Sequence, residues 1–230
     1  AALHPPWFLG SECPGCFAEY VTVAARHAHV IESDLSDIEL ATFPCSYSTA
    51  ENMIVRMGAT DGERALVTGA SGGVGSAAVQ LLVARGLDVT AVTSPAKTEA
   101  LIALGASACL DRGDTPPSNS FDLAIDLAGG PAWTAIIDAL KPGGRYAVAG
   151  AVAGAEVPLD LRDLYLKDLT FFGCTVLDDG VFSGLVRWIE TGAIKPLLAE
   201  TFALQDIRDA QTAFLERGHI GKIGLRIGSG

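Results

Sequence analysis

The sequence predicts an α/β fold organised on a doubly wound, six-stranded parallel sheet. From residue 65 onward, short β-rich runs alternate with helical segments closed by glycine, the order expected of βαβ units. A glycine-rich loop joins the first of these strands to the first helix. Hydrophobic residues make up 49% of the chain and charged ones 19%, enough apolar material to cover both faces of a sheet. At 230 residues the chain allows one large domain, or one complete domain with part of another.

The elements follow in order. Residues 1–15 are rich in Pro, Gly and small side chains and read as a loop. Residues 17–31 alternate β-branched and polar positions through Ala18-Glu19-Tyr20-Val21-Thr22-Val23, the period-2 signature of strand. Ser36-Asp37-Ile38-Glu39 has capping-box spacing and opens a short helix. Pro44 restarts the chain into a helix over about 45–57, closed near Gly58. Strands are then expected at 65–68, 88–92, 108–110, 122–125, 145–148 and 169–173. The helices between them begin near Gly73, Pro95, Pro131 and Leu161. Six such strands complete a sheet of order 3-2-1-4-5-6. Residues 111–120, with two prolines and a Ser/Asn cluster, form a surface loop. Two amphipathic helices, 180–191 and 205–217, and a strand at 221–227 finish the chain. No internal repeat interrupts this order.

The strand Ala65-Leu66-Val67-Thr68 runs into Gly69-Ala70-Ser71-Gly72-Gly73-Val74-Gly75 and then into helical Ser76-Ala77-Ala78-Val79. A dinucleotide site needs a tight turn, a bare backbone beside the pyrophosphate and a small residue where helix meets strand. Ala70, Gly72 and Gly75 stand at that spacing, with Ala at the first place, and the helix presents its unpaired N–H groups to the phosphates. An NAD site places an acid at the end of the next strand to accept from the ribose 2′-OH. Here Thr93, Ser94 and Lys97 stand instead, which suits a 2′-phosphate and NADPH, with Arg112 as a second, weaker phosphate ligand. Alternatively, Ser94 caps the helix begun by Pro95 and Lys97 is a solvated first-turn residue.

Several function classes are excluded. With 16 basic against 27 acidic residues, the net charge is −11, and no basic block offers a nucleic acid a surface. The charge-free stretch 65–84 is broken by four glycines and three hydroxyl residues and does not read as a membrane span. Five cysteines without a signal-peptide pattern point to reduced thiols and a cytoplasmic protein. The chain opens on Ala1, not Met, as a processed or truncated product would.

Read together, these motifs resemble the medium-chain dehydrogenase/reductase superfamily, the zinc-type alcohol dehydrogenases and zinc-free quinone oxidoreductases. The resemblance rests on Phe17-Ala18-Glu19-Tyr20-Val21, Tyr47-Ser48-Thr49-Ala50, the 67–75 loop, Leu104-Gly105-Ala106, Leu140-Lys141-Pro142-Gly143-Gly144-Arg145 and Gly221-Lys222-Ile223-Gly224-Leu225. It implies that 1–45 are the closing part of a GroES-like β domain that is N-terminally incomplete here. Residues 46–175 would be the Rossmann domain and 176–230 the segment returning to the catalytic domain. It further implies that Ala70, Ser71, Gly72, Gly73, Val74 and Gly75 hold the pyrophosphate and the near face of the nicotinamide. Thr49 would lie beside that ring. Gly150, Ala151 and Val152, with Gly173, Cys174 and Thr175, would surround the carboxamide. Lys222 matches a basic residue that reaches the phosphates, or is an exposed strand charge.

Cys45 stands where zinc-type members place their last metal ligand; it is either that ligand or a small buried residue at a helix start. Cys13-Pro14-Gly15-Cys16 has no second pair to complete a zinc site, and a loop entering a strand is the wrong setting for a redox pair. Cys109 and Cys174 read as core residues, and His4, His27, His29 and His219 as surface or loop residues. The resemblance implies an NADPH-dependent oxidoreductase transferring hydride to a quinone, activated alkene or carbonyl. The alternatives are a zinc-dependent alcohol dehydrogenase and a non-catalytic nucleotide-binding or structural module. The sequence names no acid–base residue. The partners expected are a small-molecule substrate and further copies of the chain, as homodimer or homotetramer, through 145–148 and 169–177.

Overall fold

The structure, a computed structural model, describes residues 8–178, 180–216 and 218–228. His4, half of the opening loop and Arg217 lie outside the described residues. The chain divides into two compact units, cut after Phe43 and after Lys195.

The larger unit is the expected sheet. β1 (Arg64–Val67) lies at its centre, followed in sequence by β2 (Asp88–Thr93), β3 (Ala108–Asp111), β4 (Phe121–Asp126), β5 (Leu140–Val148) and β6 (Thr170–Gly173). All pair in parallel, in the order β3-β2-β1-β4-β5-β6. Ala65, Leu66 and Val67 are fully buried, as a central parallel strand covered on both faces requires. One covering helix is α3 (Gly73–Ala84), numbered after α1 and α2 described below. Its Ala77, Ala78, Val79, Leu81 and Leu82 are wholly buried, and each large side chain contributes about 1.5–3 kcal/mol.

On the other face α5 (Trp133–Ala139) covers β4 and β5, after the short α4 (Thr98–Ala103) between β2 and β3. Trp133 meets Tyr146 edge-on at 5.0 Å between centroids and Phe171 at 5.6 Å, contacts of about 0.5–1.5 kcal/mol each beyond the area they bury. β5 starts five residues earlier than its apolar run predicts, because buried Leu140 already pairs with Phe121; an irregularity in the register between Phe121 and Leu123 follows.

α2 (Ser46–Met57) packs beside α3 and ends at Gly58 in the left-handed conformation a C-cap glycine supplies (φ 61°). α7 (Val181–Glu190) packs on α2 as well, following α6 (Leu161–Leu166) in chain order. The larger compact unit runs on to Lys195. Tyr47 OH donates to the Lys195 carbonyl at 2.6 Å, and Lys195 N–H donates to Gln80 Oε1 at 2.8 Å, anchoring the chain there.

In the smaller unit α1 (Asp37–Leu40) has its capping box, with Ser36 N–H donating to Glu39 Oε2 at 2.9 Å. The strand expected within 17–31 does not form; the segment is irregular apart from a 3-10 turn at Ala25–His27. A strand needs a ladder partner as well as a period. No described strand pairs with 17–31, and Tyr20 and Val30 are 90% and 81% exposed. Conversely, β7 (Leu198–Ala203) was not apparent from sequence. It pairs in parallel with β8 (Lys222–Arg226) across α8 (Ile207–Glu216), a small βαβ unit whose partner strand stands some twenty residues on.

Candidate functional site

The glycine loop leaves β1 through Thr68 and turns at Gly69, whose φ of 60° favours glycine. Gly72 N–H closes the turn on Gly69 O at 3.0 Å. A Cβ on Gly75 would overlap the Gly69 carbonyl oxygen and fall 2.6 Å from Ala70 Cα, so only glycine lets α3 sit this close to the strand exit. Ala70 and Ser71 are buried. Ser76 N–H bonds to Gly72 O and its hydroxyl to the same oxygen at 2.8 Å, which leaves Gly73, Val74 and Gly75 as the first-turn N–H groups ahead of that bond.

At the end of β2 the predicted residues separate. Thr93 is 1% exposed and its hydroxyl is buried without a hydrogen-bond partner, so it does not face a ligand in this arrangement. Ser94 occupies the N-cap position before Pro95 but makes no side-chain capping bond, which leaves its hydroxyl for another acceptor or donor. Lys97 is half-buried and not a fully solvated charge. Burial, and then the neighbouring positive charge of Arg112, pull its pKa down. The register of β2 on β3, with Thr93 opposite Asp111, brings Lys97 and Arg112 to the same end of the sheet, and a doubly charged phosphate is a ligand that such cations suit.

Beyond the loop, β4 ends in Asp126, completely buried, and this residue was not singled out from sequence. Its Oδ1 accepts from Thr68 OH at 2.5 Å and from the N–H groups of Ala128 and Gly129 at 2.9 and 3.0 Å. Its Oδ2 accepts from Tyr146 OH at 2.7 Å, and burial together with that carboxylate raises the phenol's pKa. The signal available in the sequence was an aspartate closing the apolar run Leu123-Ala124-Ile125, three residues before Gly129-Gly130.

The loop after β4 packs directly on the loop after β5. Ala153 N–H donates to Ala128 O at 2.8 Å, Gly129 pairs with Gly154, and a Cβ on Gly150 would fall 2.8 Å from Leu127 O. Gly150, Ala151 and Gly173 line one wall of a cavity of ≈ 240 Å³ with Trp133, Tyr146 and Phe171. Val152 is 80% exposed. Cys174 is buried just past β6, Thr175 is exposed beside it, and Arg56 Nη1 donates to Gly173 O at 2.6 Å. Burial raises the Cys174 and Cys109 thiols. Cys109 lies within β3, half-buried.

Thr49 is half-buried in the first turn of α2. Cys45, immediately before that helix, is exposed, which removes the buried-residue alternative. It has φ 66° and ψ −65°, and Ser46 N–H donates across it to Pro44 O at 2.9 Å. The result is a γ-turn of the strained positive-φ kind, and it turns the thiol outward. A catalytic zinc commonly takes three protein ligands. Among the described residues no three His, Cys, Asp or Glu side chains converge, so the described residues do not by themselves complete a zinc centre around Cys45. Cys13 is half-buried, its thiol 3.5 Å from Phe8 O, and Cys16 is exposed. Lys222 opens β8 in the smaller unit, half-buried.

Comparison with known proteins agrees with this architecture. The family model described as zinc-binding dehydrogenase matches residues 73–191. The acryloyl-coenzyme A reductase of Metallosphaera sedula is 26% identical over 229 residues, covering 98% of this chain and 69% of the relative. A putative alcohol dehydrogenase from Sinorhizobium meliloti 1021 superposes with a TM-score of 0.91 at 41% identity, over 96% of this chain and 64% of that one. A thermostable alcohol dehydrogenase from Pyrobaculum aerophilum, solved with cobalt and zinc, gives 0.82 at 36% identity over 93% and 64%. The chain thus spans about two thirds of the length of the proteins it matches. The doubly wound sheet, the Gly69–Gly75 turn and these matches lead to one conclusion: the chain belongs to the zinc-binding dehydrogenase family, within the medium-chain dehydrogenase/reductase superfamily of NAD(P)-dependent oxidoreductases.

Proposed function

We propose that the protein binds NADPH in preference to NADH and serves an oxidoreductase that reduces an activated alkene, quinone or carbonyl. The observation that carries the nucleotide preference is that the paired ends of β2 and β3 carry Ser94, Lys97 and Arg112 where an NAD site would carry an acid. That donor set fits an anionic 2′-phosphate. The acryloyl-coenzyme A reductase relatives favour the activated alkene among the acceptors.

When bound, the cofactor supplies a hydride. The chain's own residues hold and orient it. The N–H groups of Gly73, Val74 and Gly75 receive the pyrophosphate, and Ser94, Lys97 and Arg112 the 2′-phosphate. Backbone groups of Gly150–Val152 and Gly173–Thr175 bracket the carboxamide, and Thr49 flanks the ring. Residues 46–175 form the nucleotide-binding domain proper, with 1–45 and 176–230 assigned to the catalytic part. The exposed Leu161, Tyr165 and Leu166 of α6, beside the β6 edge, support self-association as a homodimer or homotetramer. No described helix is long and apolar enough to cross a membrane.

A zinc-dependent alcohol dehydrogenase is the second reading, favoured by the outward-facing Cys45 and the metal-bound relative from Pyrobaculum aerophilum. About one tightly held zinc per subunit in the full protein would replace the first reading with this one. Nucleotide preference is tested by titrating the chain with NADPH and with NADH, following Trp133 and Trp188 fluorescence. Replacing Lys97 and Arg112 by Ala together is expected to weaken NADPH about 10- to 100-fold, from the ~1.5–3 kcal/mol of a charge-assisted hydrogen bond, and to leave NADH nearly unchanged. Equal affinity for both nucleotides in the unmodified chain refutes the preference; binding of neither refutes nucleotide binding by this chain and favours a structural module.

A further inference from the structure

We infer that Asp126 is a positioning residue that locks the glycine loop, the loop after β4 and the loop after β5 into one rigid frame for the nucleotide; this rests on the nucleotide-binding reading above. The carboxylate is completely buried and accepts four hydrogen bonds. Two come from side chains on the strands either side, Thr68 at the end of β1 and Tyr146 in β5. Two come from the N–H groups of its own loop, Ala128 and Gly129. Thr68 is the residue immediately before Gly69, so its hydroxyl fixes the point at which the glycine loop departs. The same hydroxyl accepts from Leu127 N–H at 3.1 Å.

Leu127 is where the three loops meet. Its Cβ would lie 3.3 Å from a Cβ on Gly69, and its carbonyl oxygen 2.8 Å from one on Gly150. The spacing between the pyrophosphate loop and the carboxamide loop is therefore set by the position of Leu127, which Asp126 and Thr68 hold from both sides. Stability alone is a poor reason for a charge in this place. Burying a carboxylate costs several kcal/mol, and apolar packing of the same volume serves stability as well or better. What a carboxylate adds is four directed bonds that fix three segments at once.

The test uses Thr68→Val, which removes the hydroxyl shared by Asp126 and Leu127, and Asp126→Asn. The amide of Asp126→Asn can still accept from Thr68, Ala128 and Gly129 through Oδ1 while its Nδ2 donates to the Tyr146 oxygen. Backbone hydrogen exchange is measured on the nucleotide-free chain, and NADPH affinity in parallel. Thr68→Val is expected to speed exchange at least tenfold at Ala153, whose N–H Thr68 does not touch, and to weaken NADPH at least tenfold. Asp126→Asn, which keeps these bonds, should leave both within about threefold of the unmodified chain. Faster exchange confined to Leu127, or faster exchange at Ala153 with NADPH affinity unchanged, overturns the inference. If the unmodified chain binds neither nucleotide, the functional reading fails and the positioning role fails with it. The exchange pattern then reports whether the three loops are still coupled, which separates that failure from a failure of the coupling itself.

Discussion

Replacing Gly75 with alanine sets two calculable effects against each other. In an ordinary helix interior, Gly to Ala stabilises by about 1 kcal/mol, because alanine surrenders less backbone entropy. Gly75 lies in the first turn of α3, where a Cβ would stand 2.6 Å from Ala70 Cα and 2.8 Å from the Gly69 carbonyl carbon. These neighbours are backbone atoms of a buried turn and cannot rotate away. To regain an ordinary separation of about 3.5 Å, the helix start must retreat by about 1 Å from the strand exit. Overpacking of this kind costs about 1–3 kcal/mol, which exceeds or cancels the propensity gain. The expected net change is a loss of up to about 2 kcal/mol, read from the urea midpoint at unchanged m-value. The displaced N–H groups of Gly73–Gly75 should also weaken NADPH by tenfold or more in the tryptophan titration. A variant more stable by about 1 kcal/mol that binds as before would refute the close-approach argument.

Arg85→Ala should be costlier than a surface change, because Arg85 pairs at 2.5 Å with Glu51, whose side chain is 4% exposed and has its second oxygen unpartnered. A loss of about 3–5 kcal/mol by thermal or urea unfolding is expected, and Glu51→Gln in the same background should recover much of it. Burial works to raise the pKa of Asp122, but the Lys141 ammonium and the Arg64 N–H outweigh it and hold the carboxyl below its ordinary value. Its contribution is therefore complete above the ordinary aspartate value of about 4 and is lost as pH falls through the lower folded value. Urea midpoints taken between pH 7 and 2.5 should fall less steeply at the acid end for Asp122→Asn than for the unmodified chain. Among the thiols, Cys16 and Cys45 are exposed and should alkylate first, while Cys174, buried with a raised pKa, should alkylate last. Site-resolved mass spectrometry of a short iodoacetamide pulse gives the order.

The sheet was legible because each of its signals is local. Ala65-Leu66-Val67 reads as a central strand from three consecutive apolar residues, and Ala70, Gly72 and Gly75 at their spacing announce the turn that follows. The capping box at Ser36 and Glu39 and the glycine closing α2 are likewise four-residue or single-residue statements. The segment 17–31 failed for the opposite reason. Its period-2 pattern is present, but a strand is a property of two segments, and no described strand lies alongside it. β7 was missed by the same logic reversed: Leu198-Ala199-Glu200-Thr201 has no clean apolar face, yet it forms because β8 supplies the ladder. Thr93 shows the limit within the site itself, where a hydroxyl in the right place by counting has turned out to be buried.

By itself the sequence determined the sheet order, the place of the glycine-rich turn after β1 and the absence of an acid where NAD sites carry one. Each depends only on residue type and spacing along the chain. Tertiary structure alone decided that Cys45 is exposed on a strained turn and that Asp126 gathers bonds from β1, β5 and its own loop. These pair residues up to 58 positions apart. Such contacts are set by how strands are laid side by side and which faces they bury, and no window along the chain contains that information.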